Sequence, residues 1–105
     1  MPTFIMMTRL SHEALKSPKS LEALSHDIAQ HIRRACPEVN WHSSFVVLGN
    51  ADYVDIFTAP DNATATKVAT IVRTFGHATT EIWPATEWSE FQRLLKDLPP
   101  SLISA

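Results

Sequence analysis

A strand between a turn and a helix start constrains this chain more than any other segment. The segment runs from Leu48 to Asp61. Gly49, one of only two glycines, suits a tight turn. The strand alternates Val54 and Ile56 with other side chains, and Asp61 is a residue type that caps helices. A turn, a strand and a helix therefore follow one another within a short length of chain.

Length, charge and cysteine content restrict the class of protein. The chain has 105 residues, which suits one domain. Its net charge is −2 and its basic residues are dispersed, so we expect no nucleic-acid partner. Neither a signal peptide nor a long apolar run is present, so we expect no membrane span. Cys36 is the single cysteine, which favours a reducing, cytoplasmic location.

Hydrophobic periodicity predicts four strands and three helices. The first helix begins at Ser17-Pro18, and its apolar residues recur at helical spacing. Asp61 caps the second helix, and Thr86 caps the third. The predicted strands are Thr3–Thr8, Asn40–Leu48, Tyr53–Thr58 and His77–Trp83.

Single residues mark the predicted ends of several elements. Gly49 to Asp52 form a tight hairpin turn. Gly76 occupies the left-handed position that ends a helix. Pro84 stops the fourth strand, because proline lacks an N–H for the sheet.

This order of elements predicts an α+β fold of the ferredoxin-like type. The order β-α-β-β-α-β gives an antiparallel four-stranded sheet in the order 4-1-3-2, with both main helices on one face. A C-terminal helix follows. The predicted domain covers residues 1–98, and residues 99–105 form a tail.

The face of the sheet away from the helices is expected to need a partner. Alternation places Tyr53, Phe57 and Trp83 on that face, beside Asp55 and Glu81. A monomer rarely exposes so much aromatic surface. We therefore expect a homodimer, or a higher homo-oligomer built on it, whose two sheets face each other.

Two segments resemble the GYD-domain family of small bacterial proteins. The first runs from Gly49 through Pro60-Asp61, and the second is Gly76–Ala85, with Thr80-Glu81 inside it. The family pattern is roughly Gly-x-Tyr-Asp followed by an apolar strand and Ala-Pro-Asp, and then Gly-x-x-x-Thr-Glu. The similarity extends from residue 1 to about residue 98. One departure is that Ala51 stands where the family has its signature tyrosine.

The resemblance implies a dimeric α/β barrel and leaves the activity open. Membership of the family would agree with the dimer expected from the open face. Any role of a tyrosine in the turn would be absent or moved here, because Tyr53 belongs to the following strand.

Asp55 and Glu81 are the strongest candidates for chemistry. Their strands both neighbour the first strand, which places the two carboxylates about 10 Å apart. Inside a closed barrel either could act as a general base, since burial raises a carboxyl pKa. Tyr53, Trp83 and Phe57 would form an apolar wall for a small aromatic ligand. Alternatively, the carboxylates bond across the dimer interface or face water.

Two histidines and the charged residues near the first of them are weaker candidates. His12, after the first strand, could form a polar rim with Glu13 and Arg9 and transfer a proton. His42 could line the open face, or simply pack against the partner. No sequence motif predicts a metal site or a cofactor.

Three functions fit this pattern. The first is a small-molecule-binding module of the GYD type. The second is a cofactor-independent monooxygenase or isomerase acting on an aromatic or lactone substrate, by analogy with other dimeric α/β barrels. The third is a non-catalytic structural or interaction protein with a filled barrel.

Overall fold

The computed structural model describes residues 1–11 and 18–103. The strands are β1 (Thr3–Leu10), β2 (Asn40–Val46), β3 (Tyr53–Thr58) and β4 (Ala78–Ala85). The helices are α1 (Pro18–Ala35), α2 (Asn62–Gly76), α3 (Trp88–Lys96) and α4 (Pro100–Ile103). The predicted succession of elements is confirmed, except that the expected tail contains the one-turn helix α4.

The strands form one antiparallel sheet in the order β2-β3-β1-β4. This is the order predicted for a ferredoxin-like α+β fold. β1 is central: Met6 lies opposite Asp55 of β3 and Ile82 of β4. β2 and β4 are the edge strands.

Alternate side chains of β1 enter the core beneath the helices. Phe4, Met6 and Thr8 are buried, whereas Ile5 and Met7 between them are half-buried. The buried apolar core consists of Phe4, Met6, Ile32, Cys36, Phe57, Ala59, Ala65, Val68 and Val72. The core therefore lies on the side of the sheet that carries α1 and α2.

The hairpin between β2 and β3 is longer than the predicted turn beginning at Gly49. β2 ends at Val46, and the Val47 N–H donates to the Asp52 carbonyl over 3.0 Å. Asp52 is also tied to β1: its N–H donates to the Thr8 carbonyl over 2.8 Å, and its Oδ2 accepts the Leu10 N–H over 2.7 Å. These bonds fix the loop against the end of the central strand.

The prediction for the start of α2 is confirmed, whereas the prediction for its end is wrong. Asp61 caps its start as predicted, with Oδ1 accepting the Thr64 N–H over 2.8 Å. The prediction for Gly76 is wrong, because His77 takes the left-handed conformation, with φ 48°. Gly76 instead permits close packing: a Cβ there would lie 3.0 Å from Ile28 Cδ1 of α1.

β4 extends further than predicted, and α3 begins one residue later than predicted. β4 continues through Pro84 to Ala85, which an edge strand tolerates because proline's missing N–H need not face a neighbouring strand. Glu87 rather than Thr86 is the N-cap of α3, and its side chain makes no capping hydrogen bond.

α3 lies apart from the packed domain. It buries none of its residues, and Trp88 is 70% exposed. The chain measures 56 × 30 × 17 Å, with a radius of gyration of 16.8 Å. About 13 Å is usual for a compact chain of this length. The apolar face of α3 therefore has no partner within the described part of the chain.

Candidate functional site

A cavity of about 700 Å³, here called the α1 cavity, lies between α1 and the sheet. It exists because α1 packs mainly against α2, whereas α2 packs directly on β1 and β4. Leu21, Leu24 and Ile28 of α1 form one wall. Met6 and Thr8 of β1 contribute to the sheet side. The lining is mainly apolar, which suits a small organic molecule.

Asp55 brings a carboxylate into the α1 cavity. It lies opposite Met6, which is buried, so its side chain is on the helix-covered face of the sheet. Ser44 of β2 lies opposite it. The Trp41 indole N–H donates to Ser44 Oγ over 2.7 Å. Two polar side chains of β2 therefore lie beside the carboxylate and favour its charged form.

Burial raises the pKa of Asp55. Loss of hydration disfavours the charged form, and the hydrogen bonds from Ser44 and Trp41 oppose this effect only in part. A carboxyl with a raised pKa in a cleft is a typical candidate for ligand binding or proton transfer. Asp55 is therefore the described residue with the clearest functional signal.

A stack of aromatic rings supports the β2 side of the cavity. Trp41 stacks on Phe57 with ring centroids 5.1 Å apart, and Phe57 stacks on Phe4 at 5.6 Å. Phe57 is 0% exposed. The stack fixes the orientation of Trp41, whose indole N–H donates to Ser44 Oγ. It therefore also helps to position Ser44, which lies opposite Asp55.

The prediction that Tyr53, Asp55 and Phe57 lie on the open face is wrong. Phe57 lies opposite buried Phe4, so all three side chains face the helices. Tyr53 and Asp55 line the α1 cavity, and Phe57 lies in the core. Alternation correctly grouped the three residues but could not tell which side of the sheet the helices cover.

Asp55 and Glu81 therefore do not form a pair. Asp55 lies opposite Met6, whereas Glu81 lies opposite Met7, and these neighbours in β1 point to opposite faces. Trp83 shares the open face with Glu81, as predicted, and is 48% exposed. Its indole N–H donates to Glu81 Oε1 over 3.4 Å. The sheet itself separates the two carboxylates.

Arg9 and His42 also lie away from the α1 cavity. Arg9 shares the parity of Met7 and donates from Nε to the Asn50 carbonyl over 2.8 Å, so it holds the hairpin loop. His42 is exposed at a β-bulge, with Nε2 3.2 Å from Thr58 Oγ1. His12 and its neighbour Glu13 lie outside the described residues.

Trp41 and Ser44 are site residues that sequence reasoning missed. Simple alternation groups Trp41 with Ser43 and Phe45. The bulge between Trp41 and Ser43 shifts the register, so that Trp41 lies opposite Phe57 and Ser44 opposite Asp55. Ser43 and Ser44 are adjacent and identical, so the residue types do not indicate which of them lies opposite Asp55. No sequence pattern therefore predicts the bulge.

Cys36 lines the α1 cavity at the end of α1 and is buried. Burial raises the pKa of its thiol, which disfavours the reactive thiolate. Residues 1–11 and 18–103 contain no group of three or more side chains placed to hold a metal ion. Within the same ranges, no helix is long and apolar enough to cross a membrane.

Comparison with known proteins identifies the family and the fold. The family model described as the GYD domain matches residues 4–95. The leucine response regulatory protein LrpA of Mycobacterium tuberculosis is 15% identical, with a TM-score of 0.51 over 82% of this chain and 51% of that one. At this identity the similarity concerns the fold. The chain thus spans about half the length of that protein.

A second solved structure is the hypothetical protein ORF119 from Sulfolobus islandicus rod-shaped virus 1. It is 13% identical, with a TM-score of 0.48 over 91% of this chain and 78% of that one. A comparison with curated proteins gives no match.

Proposed function

The chain belongs to the GYD-domain family, and we propose that this member binds a small, mainly apolar molecule in the α1 cavity. The observation that carries the proposal is Asp55, a half-buried carboxylate beside Ser44 and Trp41 at the side of an apolar space. A binding site commonly combines apolar walls with a few placed polar groups.

The size and lining of the α1 cavity support this function. Small-molecule sites typically enclose about 300–1,000 Å³, and the α1 cavity has about 700 Å³. Trp41 and Tyr53 give it aromatic walls. An aromatic ligand would bury its ring against these side chains and direct a polar group to Asp55.

A cofactor-independent monooxygenase or isomerase is the second candidate function. Its support is the raised pKa of Asp55, since a carboxyl tuned upward can accept a proton from a substrate. Glu81 cannot serve as the second acid–base group in this cavity, because it lies on the opposite face of the sheet. Binding without catalysis therefore explains the described residues with fewer assumptions.

Amide chemical-shift mapping tests the binding site. Titration with 2-phenylethanol, a neutral aromatic probe, should shift the signals of Leu24, Ile28 and Asp55. Signals of Glu81 and Trp83, on the other face of the sheet, should stay in place. Shifts confined to the open face would contradict binding in the α1 cavity.

We also propose that the chain forms a homodimer, or a higher homo-oligomer built on it, through the open face. The half-buried apolar side chains of that face are Ile5, Met7, Val54 and Ile56. Trp83 on the same face is also exposed, and α3 carries exposed apolar side chains of its own. Contiguous apolar surface of this kind typically marks an interface.

The unpaired thiol of Cys36 supports a reducing compartment, and we propose the cytoplasm.

Sedimentation velocity tests the homodimer. The wild type should sediment as a dimer at micromolar concentration. Ile56→Glu should give monomers, because it places a charge in the interface. Leu48→Glu is the matched control in the exposed hairpin loop and should remain dimeric. A wild type that is monomeric at all accessible concentrations would contradict the proposal.

A further inference from the structure

Few ionisable side chains line the α1 cavity. Asp55 is the one carboxylate among its described lining residues. The other ionisable lining groups are Tyr53 on β3, Cys36 after α1 and Arg33 on α1. The lining residues from β1, α2 and β4 carry no ionisable side chain.

The lining basic residue does not neutralise Asp55. Arg33 is exposed, and its Nε donates to the Ala29 carbonyl of its own helix over 3.4 Å. Within residues 1–11 and 18–103 the ion pairs are His31–Asp27 and Arg93–Glu90, so no cation of this part of the chain pairs with Asp55. A partly buried carboxylate gains most from a ligand that supplies the missing positive charge.

Asp55 also retains hydrogen-bonding capacity for a ligand. A carboxylate has two oxygens and about four acceptor sites, whereas the Ser44 and Trp41 side chains beside it have one polar hydrogen each. A group that binds an ionised carboxylate must donate a hydrogen bond. Donors that carry a positive charge form bonds roughly twice as strong as neutral ones.

The aromatic side chains that line the cavity also favour a ligand with a positive charge. Trp41 and Tyr53 border the cavity on the face of the sheet that carries Asp55. The face of an aromatic ring attracts cations, and tryptophan does so most strongly. An anionic ligand would instead meet a like charge at Asp55.

We propose that the α1 cavity takes a small organic cation, a protonated amine on an aromatic or branched aliphatic body, whose ammonium group donates to Asp55. This inference rests on the proposed function, because it requires the cavity to bind a small molecule. It adds the charge of the ligand and the residue that selects it.

Isothermal titration of the full chain with three probes of matched body tests the proposal. The probes are 2-phenylethylamine, 2-phenylethanol and phenylacetate, which are cationic, neutral and anionic at neutral pH. We expect the amine to bind about tenfold or more tightly than the alcohol, as a charge-assisted bond worth about 1.4 kcal/mol implies. Phenylacetate should bind most weakly. This ranking uses the wild type alone, so it does not depend on the folding of a variant.

Two variants locate the selectivity. Asp55→Asn should lose the preference for the amine while it still binds the alcohol. Glu81→Gln, which removes the carboxylate on the opposite face, should leave the ranking unchanged.

The failure of this inference can be told apart from that of the proposed function. Equal binding of the amine and phenylacetate, or an amine preference that survives in Asp55→Asn, would overturn the ligand class and leave the binding function intact. Absence of binding by all three probes would overturn both.

Discussion

α1 and α2 cover the same face of the sheet but pack in different ways. α2 lies directly on β1 and β4 and buries Ala65, Val68, Val72 and Gly76. α1 is held mainly through α2, and Ile32 is its buried residue among those described. One half of this two-layer domain is therefore a packed core, and the other half encloses the α1 cavity.

The difference follows from the size of side chains at the contacts between elements. Ala65 and Gly76 let α2 approach its neighbours closely, and a Cβ at Gly76 would already touch Ile28. On α1, the large side chains Leu21 and Leu24 face the cavity and have no close partner from the sheet. Stability should therefore depend on α2, and ligand binding on α1.

The largest expected effect is the loss of a buried side chain from α2. Val68 is 0% exposed, and Val68→Ala should cost about 2–3 kcal/mol, because it removes two buried carbons and leaves a cavity. Leu24→Ala removes more atoms from α1 but should cost about 1 kcal/mol or less, since Leu24 already borders an open space.

Urea unfolding followed by circular dichroism measures the unfolding free energy of both variants. All samples should have the same protein concentration, because the stability of a dimer depends on it. Equal losses of unfolding free energy would contradict the distinction between the helices.

The next effect concerns the contact between the two helices. Gly76→Val should destabilise the fold by about 1–2 kcal/mol, because the added atoms would overlap Ile28. The double variant Gly76→Val/Ile28→Ala should recover part of this loss in a double-mutant cycle. Additive losses, with no recovery, would show that Ile28 is not the residue that limits the space.

A smaller effect of opposite sign is expected from filling the α1 cavity. Leu24→Trp should raise the unfolding free energy by about 0.5–1 kcal/mol, as other cavity-filling changes do. It should also weaken the binding of 2-phenylethanol. Leu95→Trp on α3 is the control outside the cavity and should leave binding unchanged. A destabilised Leu24→Trp protein would contradict the presence of space for an indole ring between α1 and the sheet.

The smallest effect is a pair of opposite pH dependences. Because the pKa of Asp55 is raised above 3.8, its contribution is fully present below that value and is lost as pH rises through the folded pKa. The stability of the wild type relative to Asp55→Asn should therefore fall as the pH rises above about 3.8.

Asp61 should show the reverse trend. Its cap hydrogen bonds lower its pKa below 3.8, so its contribution is present above that value and is lost as pH falls through the folded pKa. The stability of the wild type relative to Asp61→Asn should rise with pH from below the folded pKa to a little above 3.8, and then stay level. Thermal melts at several pH values measure both trends. Parallel trends in the two variants would contradict the assigned environment of one of the carboxylates.

The sequence by itself determined the elements and their order in the sheet. Helical spacing from Leu21 to Ile32, the Asp61 cap and the alternation around Val54 are local signals, because they depend on periodicity and on backbone hydrogen bonding. They were sufficient for a ferredoxin-like fold and for Asp55 as a candidate residue, whereas the family followed from the resemblance of two short segments.

Only the tertiary structure decided which face each side chain occupies and where the cavity lies. Alternation divides β3 into two sets, but the burial of Phe4 beside Phe57 selects the set that faces the helices. A bulge after Trp41 then brings Ser44 to Asp55. These outcomes depend on contacts between residues distant in sequence, and a pattern of period two is the same for either face of a sheet.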